Sequence, residues 1–317
     1  MVNGDPAANA NVTPPMRERT PDPVISRVLT EESQGPETRR RLFEKLEVAL
    51  GRPVVSFFTS FVYPVRMENA DADMLESVLR QADLSKGFAL MVSSPGGDGL
   101  AAERIINICR CYSGTGEYWA IVPGKAKSAA TMVCFGASKV MMGPVSELGP
   151  IDPQLTTSDK GAVRWFSVYN LVQSYRGLFN RAVAETGRIE PYLQQLANYD
   201  EREIKEFEAA LELAEDIAIR ALGTGMMKEQ QSADIRTRIK KFLTPEETKT
   251  HGRPICHDDA AMCGLCVEKV DVRSQLWDAV YELYVRTNNF VSKRACKCIE
   301  SKEHSFFAPA VGRGDRP

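Results

Sequence analysis

The stretch FALMVSSPGGDGLAAERI, residues 88–105, decides how the chain is read. Phe88 to Val92 is wholly apolar, the pattern of a strand buried on both faces of a parallel sheet. Ser94-Pro95-Gly96-Gly97 then turns the chain, and Leu100, Ile105, Ile106 and Ile108 supply the apolar stripe of a following helix. Pro95 stiffens the turn, while the two glycines permit a backbone that exposes its N–H groups. Such a pair at a helix start can hold an anion or the oxygen of a carbonyl under attack. Taken alone, Pro-Gly-Gly reads as a tight strand-to-helix connection.

The same rhythm repeats on either side. Val54 to Val62 is a β-rich run, and Asp71 to Leu84 is amphipathic through Met74, Leu75, Val78 and Leu79. Tyr118 to Val122 predicts a strand, followed by a Pro-Gly turn, a small-residue helix over Ser128 to Gly136 and a strand over Lys139 to Met142. Strands separated by helices favour right-handed crossovers and an α/β core. After Gln154 the pattern turns helical, with long helices predicted over Val163 to Thr186 and Asp200 to Leu222. In the second, Ile204, Phe207, Leu211, Ala214 and Ala218 form one apolar stripe. A helix over Ser232 to Phe242 leads to a short return through Pro254-Ile255, Asp258 to Cys263 and Gly264 to Val267. Gln275 to Val291 predicts the last helix, and no internal repeat is found.

The 317 residues carry 40 Lys+Arg against 42 Asp+Glu, a balance that argues against a nucleic-acid binder. No window approaches 18 consecutive apolar residues, and residues 1–23 lack the order of a signal peptide, so a soluble, cytoplasmic protein is expected. The eight cysteines are then expected as reduced thiols. Residues 1–36, rich in proline and polar residues, read as a disordered N-terminal arm, with a short helix beginning near Glu37. Residues 37–291 form the expected domain, and 292–317 a flexible basic tail whose Arg-Gly-Asp is read as chance.

Two further segments bear on chemistry. Gly124-Lys125-Ala126-Lys127-Ser128-Ala129-Ala130 places a serine at the start of a small-residue helix, directly after a strand and a turn. A nucleophile suits this position, because the next residue's N–H can help stabilise an oxyanion. A plain serine N-cap is the alternative. Gly97 and Ser128 lie one βα unit apart, so both turns should meet at one sheet edge, where α/β sites form. Gly143 to Gln154, with three prolines and two glycines, reads as a fixed backbone path.

Together, SSPGGDGLAAERI, GKAKSAATMVCFGASKVMMG and SELGPIDPQ resemble the Clp-protease/crotonase superfamily, and more closely the serine dehydrogenase proteinase family, a cousin of signal peptide peptidase A. THGRPICHDDAAMCGLCV, residues 250–267, is a weaker echo, so the likeness covers roughly residues 50–270. The resemblance implies a fold of stacked ββα units, here with long C-terminal helices, assembled as a homo-oligomer. It implies a serine peptidase acting on peptide or protein substrates, with Ser128 as nucleophile, the N–H groups of Gly97 and Ala129 as oxyanion hole, and no cofactor. No P-loop motif occurs, so any unfolding or regulatory partner would be a separate chain. Two departures stand out. Gly143 occupies about the place where Clp peptidases carry their catalytic histidine, and the N-terminal membrane segment of many relatives is not read here.

The proton acceptor for Ser128 is left open between Lys205 and His251. Signal peptide peptidases use a lysine whose pKa burial lowers, and Lys205 lies in a helix able to cover the cleft. Glu201 and Glu208 flank it, however, at spacings suited to surface ion pairs. His251 needs no large shift to act near neutral pH, and its Thr-His context echoes the family. Lys160 falls in a polar loop, Lys127 should point away, and His257 and His304 are weaker candidates. Cys256, Cys263 and Cys266, with His257 nearby, offer in Cys263-x2-Cys266 one half of a zinc spacing, but they read better as packed thiols. Two other readings are a crotonase-type enzyme acting on an acyl thioester and a non-catalytic oligomeric scaffold.

Overall fold

A computed structural model describes residues 23–31, 34–159 and 162–310. Helices α1 (Val24–Thr30) and α2 (Glu37–Leu50) open the chain. The alternation follows as β1 (Val54–Thr59), α3 (Asn69–Leu79), β2 (Phe88–Ser93), α4 (Gly99–Tyr112) and β3 (Tyr118–Val122). Next come the two-residue β4 (Lys125–Ala126), α5 (Ala129–Phe135), β5 (Lys139–Met142) and β6 (Glu147–Leu148). An antiparallel pair, β7 (Gln154–Asp159) and β8 (Ala162–Ser167), leads into α6 (Val168–Ala184), α7 (Glu190–Leu196) and α8 (Glu201–Gly223). Short helices α9 (Ser232–Arg238), α10 (Lys240–Leu243), α11 (Pro245–Thr248) and α12 (His257–Met262) precede β9 (Val267–Lys269). The long α13 (Gln275–Lys293) and strands β10 (Ala295–Glu300) and β11 (Ser305–Pro309) complete the described chain.

The centre is a seven-stranded sheet in the order β11-β10-β1-β2-β3-β5-β9. From β1 to β9 neighbours run parallel, whereas β10 and β11 close one side antiparallel. Both faces are covered, which is why β2 is apolar at every position. Phe88, Leu90 and Val92 pack with residues of α3, α4 and α5, while Ala89 and Met91 face α2 and α13. The result is a mixed α/β fold with a mostly parallel sheet between helical layers.

A line of short pairings runs past the carboxyl ends of the parallel strands. Met67 bridges Gly97, Ser94 bridges Ala126, β4 pairs with β6, and Leu148 bridges Ile255. Each bridge follows a strand of the main sheet or ties its turn to the next. These turns are thereby brought to one edge, where the candidate site lies.

Several expectations need correction. The helix predicted from Val163 begins at Val168, because 162–167 pair with 154–159 as β8. Val163, Trp165 and Phe166 are β-branched or aromatic and suit a strand. The helix predicted over Ser232 to Phe242 breaks at Ile239 into α9 and α10. The loose tail from 292 is likewise corrected: residues 295–300 and 305–309 add two strands to the main sheet. Buried Cys298 and Ile299 face the two sides of that sheet, and Glu300 is held by Arg39 of α2. Within the expected arm, α1 docks on α13 through buried Val28 and an ion pair of Glu31 with Arg286. The Arg-Gly-Asp near the end of the chain and Lys160 lie outside the described residues. Among the described residues, no helix is long and apolar enough to cross a membrane.

Candidate active site

Ser128 occupies the residue before α5 with φ 51° and ψ −121°, a left-handed conformation that a side chain ordinarily avoids. Its hydroxyl makes no capping bond to the helix, so it is not the plain N-cap that its position allowed. The strain is held in place by its surroundings. Thr131 Oγ1 donates to the Ala126 carbonyl at 2.8 Å and accepts from Gly149 N–H at 3.0 Å, tying α5 to the flanking segments. Lys127 N–H donates to Ser94 O at 3.0 Å, and Ser94 N–H to Lys125 O at 3.1 Å, docking the serine's segment on the glycine turn.

The glycines are needed for that approach. A Cβ on Gly96, at φ 94°, would sit 2.8 Å from Ser128 Cβ and 2.9 Å from Ala129 N. One on Gly97 would run into the backbone of Met67. Met67 N–H donates to Gly96 O at 2.8 Å and Asp98 N–H to Met67 O at 3.0 Å, which leaves the intervening Gly97 N–H without an acceptor among the described residues. Ala129 N–H, at the first turn of α5, has none either. Two unpaired donors therefore flank the serine.

Ser128, Gly97 and Ala129 line one cleft of about 540 Å³, and His251 lines it too. His251 Nδ1 lies 2.7 Å from Asp152 Oδ1, and the Asp152 side chain is fully buried. The other carboxylate oxygen accepts from Gln154 Nε2 at 2.8 Å and from Ser167 Oγ at 2.9 Å. Asp152 sits between Ile151 and Pro153, whose N–H and carbonyl bond to Phe242 O at 2.8 Å and Val168 N–H at 3.0 Å. The His251 segment is clamped by reciprocal bonds between Leu148 and Ile255 at 2.9 and 3.1 Å. A strained serine, two unpaired N–H donors and a carboxylate-oriented imidazole thus line one cavity, groups of the kind that acyl transfer by a serine uses. α8 lays Ala210, Leu213, Ala214 and Ile217 along the apolar wall, with Met132 of α5 beside them.

The sequence reading did not single out Asp152 as the partner of His251. An acidic residue inside the rigid Pro150-Ile151-Asp152-Pro153 path was the available signal. The reading of Lys205 is corrected. Its side chain is 71% exposed, pairs with Glu208 at 3.0 Å and does not line the cleft. That hydrogen bond raises its pKa, the opposite of what a lysine base needs. Lys127 turns away toward Glu147 and the Leu148 carbonyl, as its place beside the serine suggested. His257 pairs with its neighbour Asp258 at 2.8 Å, and His304 lies half-buried between β10 and β11. Cys256 is half-buried, Cys266 is exposed, and burial pushes the Cys263 thiol up to about 11. Among the described residues, no group of three or more His, Cys, Asp or Glu side chains is placed to hold a metal. Gly143 is pressed under the indole of Trp277, so no side chain fits there.

Residues 49–169 match a family model described as ClpP-like SDH-type serine proteinase, the family that the three motifs resemble. The matched stretch holds the glycine turn, Ser128 and Asp152, and ends before His251. The chain is also similar to an uncharacterized protein of Methanocaldococcus jannaschii, 32% identical over 105 residues. The aligned part spans 33% of this chain and 33% of that relative.

Proposed function

Taking residues 49–169 as a serine-proteinase segment, we propose that the protein hydrolyses peptide bonds through an acyl-enzyme on Ser128, with His251 as general base. The observation that carries this is the strained, uncapped Ser128 in one cleft with two unpaired N–H donors and the His251–Asp152 pair. Ser128 Oγ attacks the scissile carbonyl carbon as its proton passes to His251 Nε2. The oxyanion then accepts from Gly97 N–H and Ala129 N–H. Asp152 accepts from His251 Nδ1–H, fixing the tautomer and favouring the imidazolium. His251 returns the proton to the leaving amine, and a water activated by the same imidazole releases the acyl group. The family match is to serine proteinases and favours neither the thioester enzyme nor the inert scaffold.

On this reading the short bridges beside the main sheet are the second strands of stacked ββα units. Self-association is part of the proposal. α6, α7 and the turn between them present exposed Phe179, Val183, Ile189 and Leu193, an apolar set that a second copy would cover. Light scattering is expected to return a multiple of 35.2 kDa, and a monomer at micromolar concentration would defeat that part alone. The catalytic proposal is tested by intact mass after treatment with a fluorophosphonate. One adduct is expected, absent in Ser128→Ala; undiminished labelling of that variant would overturn it.

A further inference from the structure

Among the described residues two basic side chains line the cleft, His251 and Arg66, and Arg66 has no task in the mechanism above. It extends from the loop between β1 and α3, with its guanidinium 4.7 Å from the ring centre of Trp165. Its Nη2 donates to Thr156 Oγ1 at 3.3 Å. The β7–β8 pair therefore holds the guanidinium from two sides, one by stacking and one by a hydrogen bond. Arg104, Arg176, Arg220 and Arg236 each hold a carboxylate. Arg66 holds none among the residues whose side chains are described. Among the described residues the one acidic side chain on the cleft, Asp98, caps α4 by accepting from Leu100 N–H at 3.0 Å. A guanidinium carries five N–H donors in a planar fork, and one here is used. The contacts with Trp165 and Thr156 hold that fork in place, and its remaining donors suit two carboxylate oxygens.

We propose that Arg66, stacked on Trp165, is a specificity residue that receives a carboxylate of the substrate while an apolar side chain lies on the Met132–Leu213–Ile217 wall. The carboxylate is either an acidic side chain or the C-terminus of the peptide, since both offer the same two oxygens. This rests on the reading that the cleft binds peptide for attack by Ser128. The contribution is to binding and register, not to the reacting atoms.

The test uses the full chain carrying Ser128→Ala, so that peptide stays intact. Fluorescein-labelled decapeptides hold one leucine and one glutamate moved along the chain, each with a glutamine twin and a lysine twin, and each as the free acid or the amide. Anisotropy is expected to show at least one acid binding about tenfold tighter than its neutral twin, the scale of a charge-assisted hydrogen bond. A glutamate-against-glutamine difference assigns a side chain, and an acid-against-amide difference assigns the terminus. Arg66→Gln should remove the preference, and Arg66→Glu should turn it toward a lysine twin, which a misfolded chain would not do. Equal binding of charged and neutral twins, absence of all binding, or a preference that survives Arg66→Gln overturns the proposal. The peptidase reading is scored separately, by fluorophosphonate labelling of a chain with Ser128 intact.

Discussion

Ser128 at φ 51° faces two N–H groups that its own hydrogen-bonded neighbours leave free, and its hydroxyl caps nothing. If His251 and Asp152 act with it as one unit, removing either should cost most of the rate. His251→Gln and Asp152→Asn are each expected to lower kcat/KM for a peptide by about 10³–10⁴-fold, and the double variant by little more. Steady-state cleavage assays check this; activity within tenfold of the parent in Asp152→Asn would remove the carboxylate from the mechanism. Thiol reactivity gives a second residue-scale outcome. Burial pushes Cys134 up to about 12 and Cys109 higher, so little thiolate forms near neutrality, whereas Cys111 and Cys266 are exposed. Native iodoacetamide labelling read by mass spectrometry should modify Cys111 and Cys266 and spare Cys109 and Cys134. That Gly97, Ser128 and Ala129 share one cleft was legible because strand, turn and helix onset sit side by side in the chain. Asp152 was not, because its role depends on a ring 99 residues away.

The strands β10 and β11 show what a local pattern hides. Cys296-Lys297-Cys298-Ile299-Glu300 looks too charged for a core, yet Lys297 pairs with buried Asp71 at 2.9 Å and Glu300 with buried Arg39 at 2.6 Å. Each charge is tolerated because its partner arrives from a distant helix. Burial, with a smaller push from the Glu68 charge, raises the Asp71 pKa even against its lysine. Glu300→Ala would strand the Arg39 guanidinium, whose side chain is 1% exposed. Such a change is expected to cost about 3–5 kcal/mol, read as a lower urea midpoint. The docking of α1 on α13 carries a pH dependence. Arg286 holds the Glu31 carboxyl below its ordinary value, so this contact stabilises fully above the unfolded carboxylate range and fades as pH falls through it. Protection factors from hydrogen exchange across 24–30, corrected for the intrinsic rate at each pH, should therefore fall in acid, and Glu31→Gln should show that lower protection already at neutral pH.

The cleft draws on turns after successive parallel strands, with α8 as its wall, and all of these pack on the same sheet. No separate unit holds the site. Loss of fluorophosphonate labelling and loss of far-ultraviolet circular dichroism are accordingly expected at one urea midpoint. Labelling lost at clearly lower urea would show that the site opens by itself. The apolar rhythm from Val54 to Met142 made the parallel half of the sheet readable, since strands buried on both faces have a local signature. How the last strands return to pair beside β1 has none. The contact of Gly143 with Trp277 has a consequence for redesign. A Cβ at 143 meets the indole, so a larger residue there needs Trp277 to shift or shrink, and shrinking it opens a hole in the core. On the proposed mechanism, a base cannot be moved to 143 by one substitution; the tryptophan has to change with it.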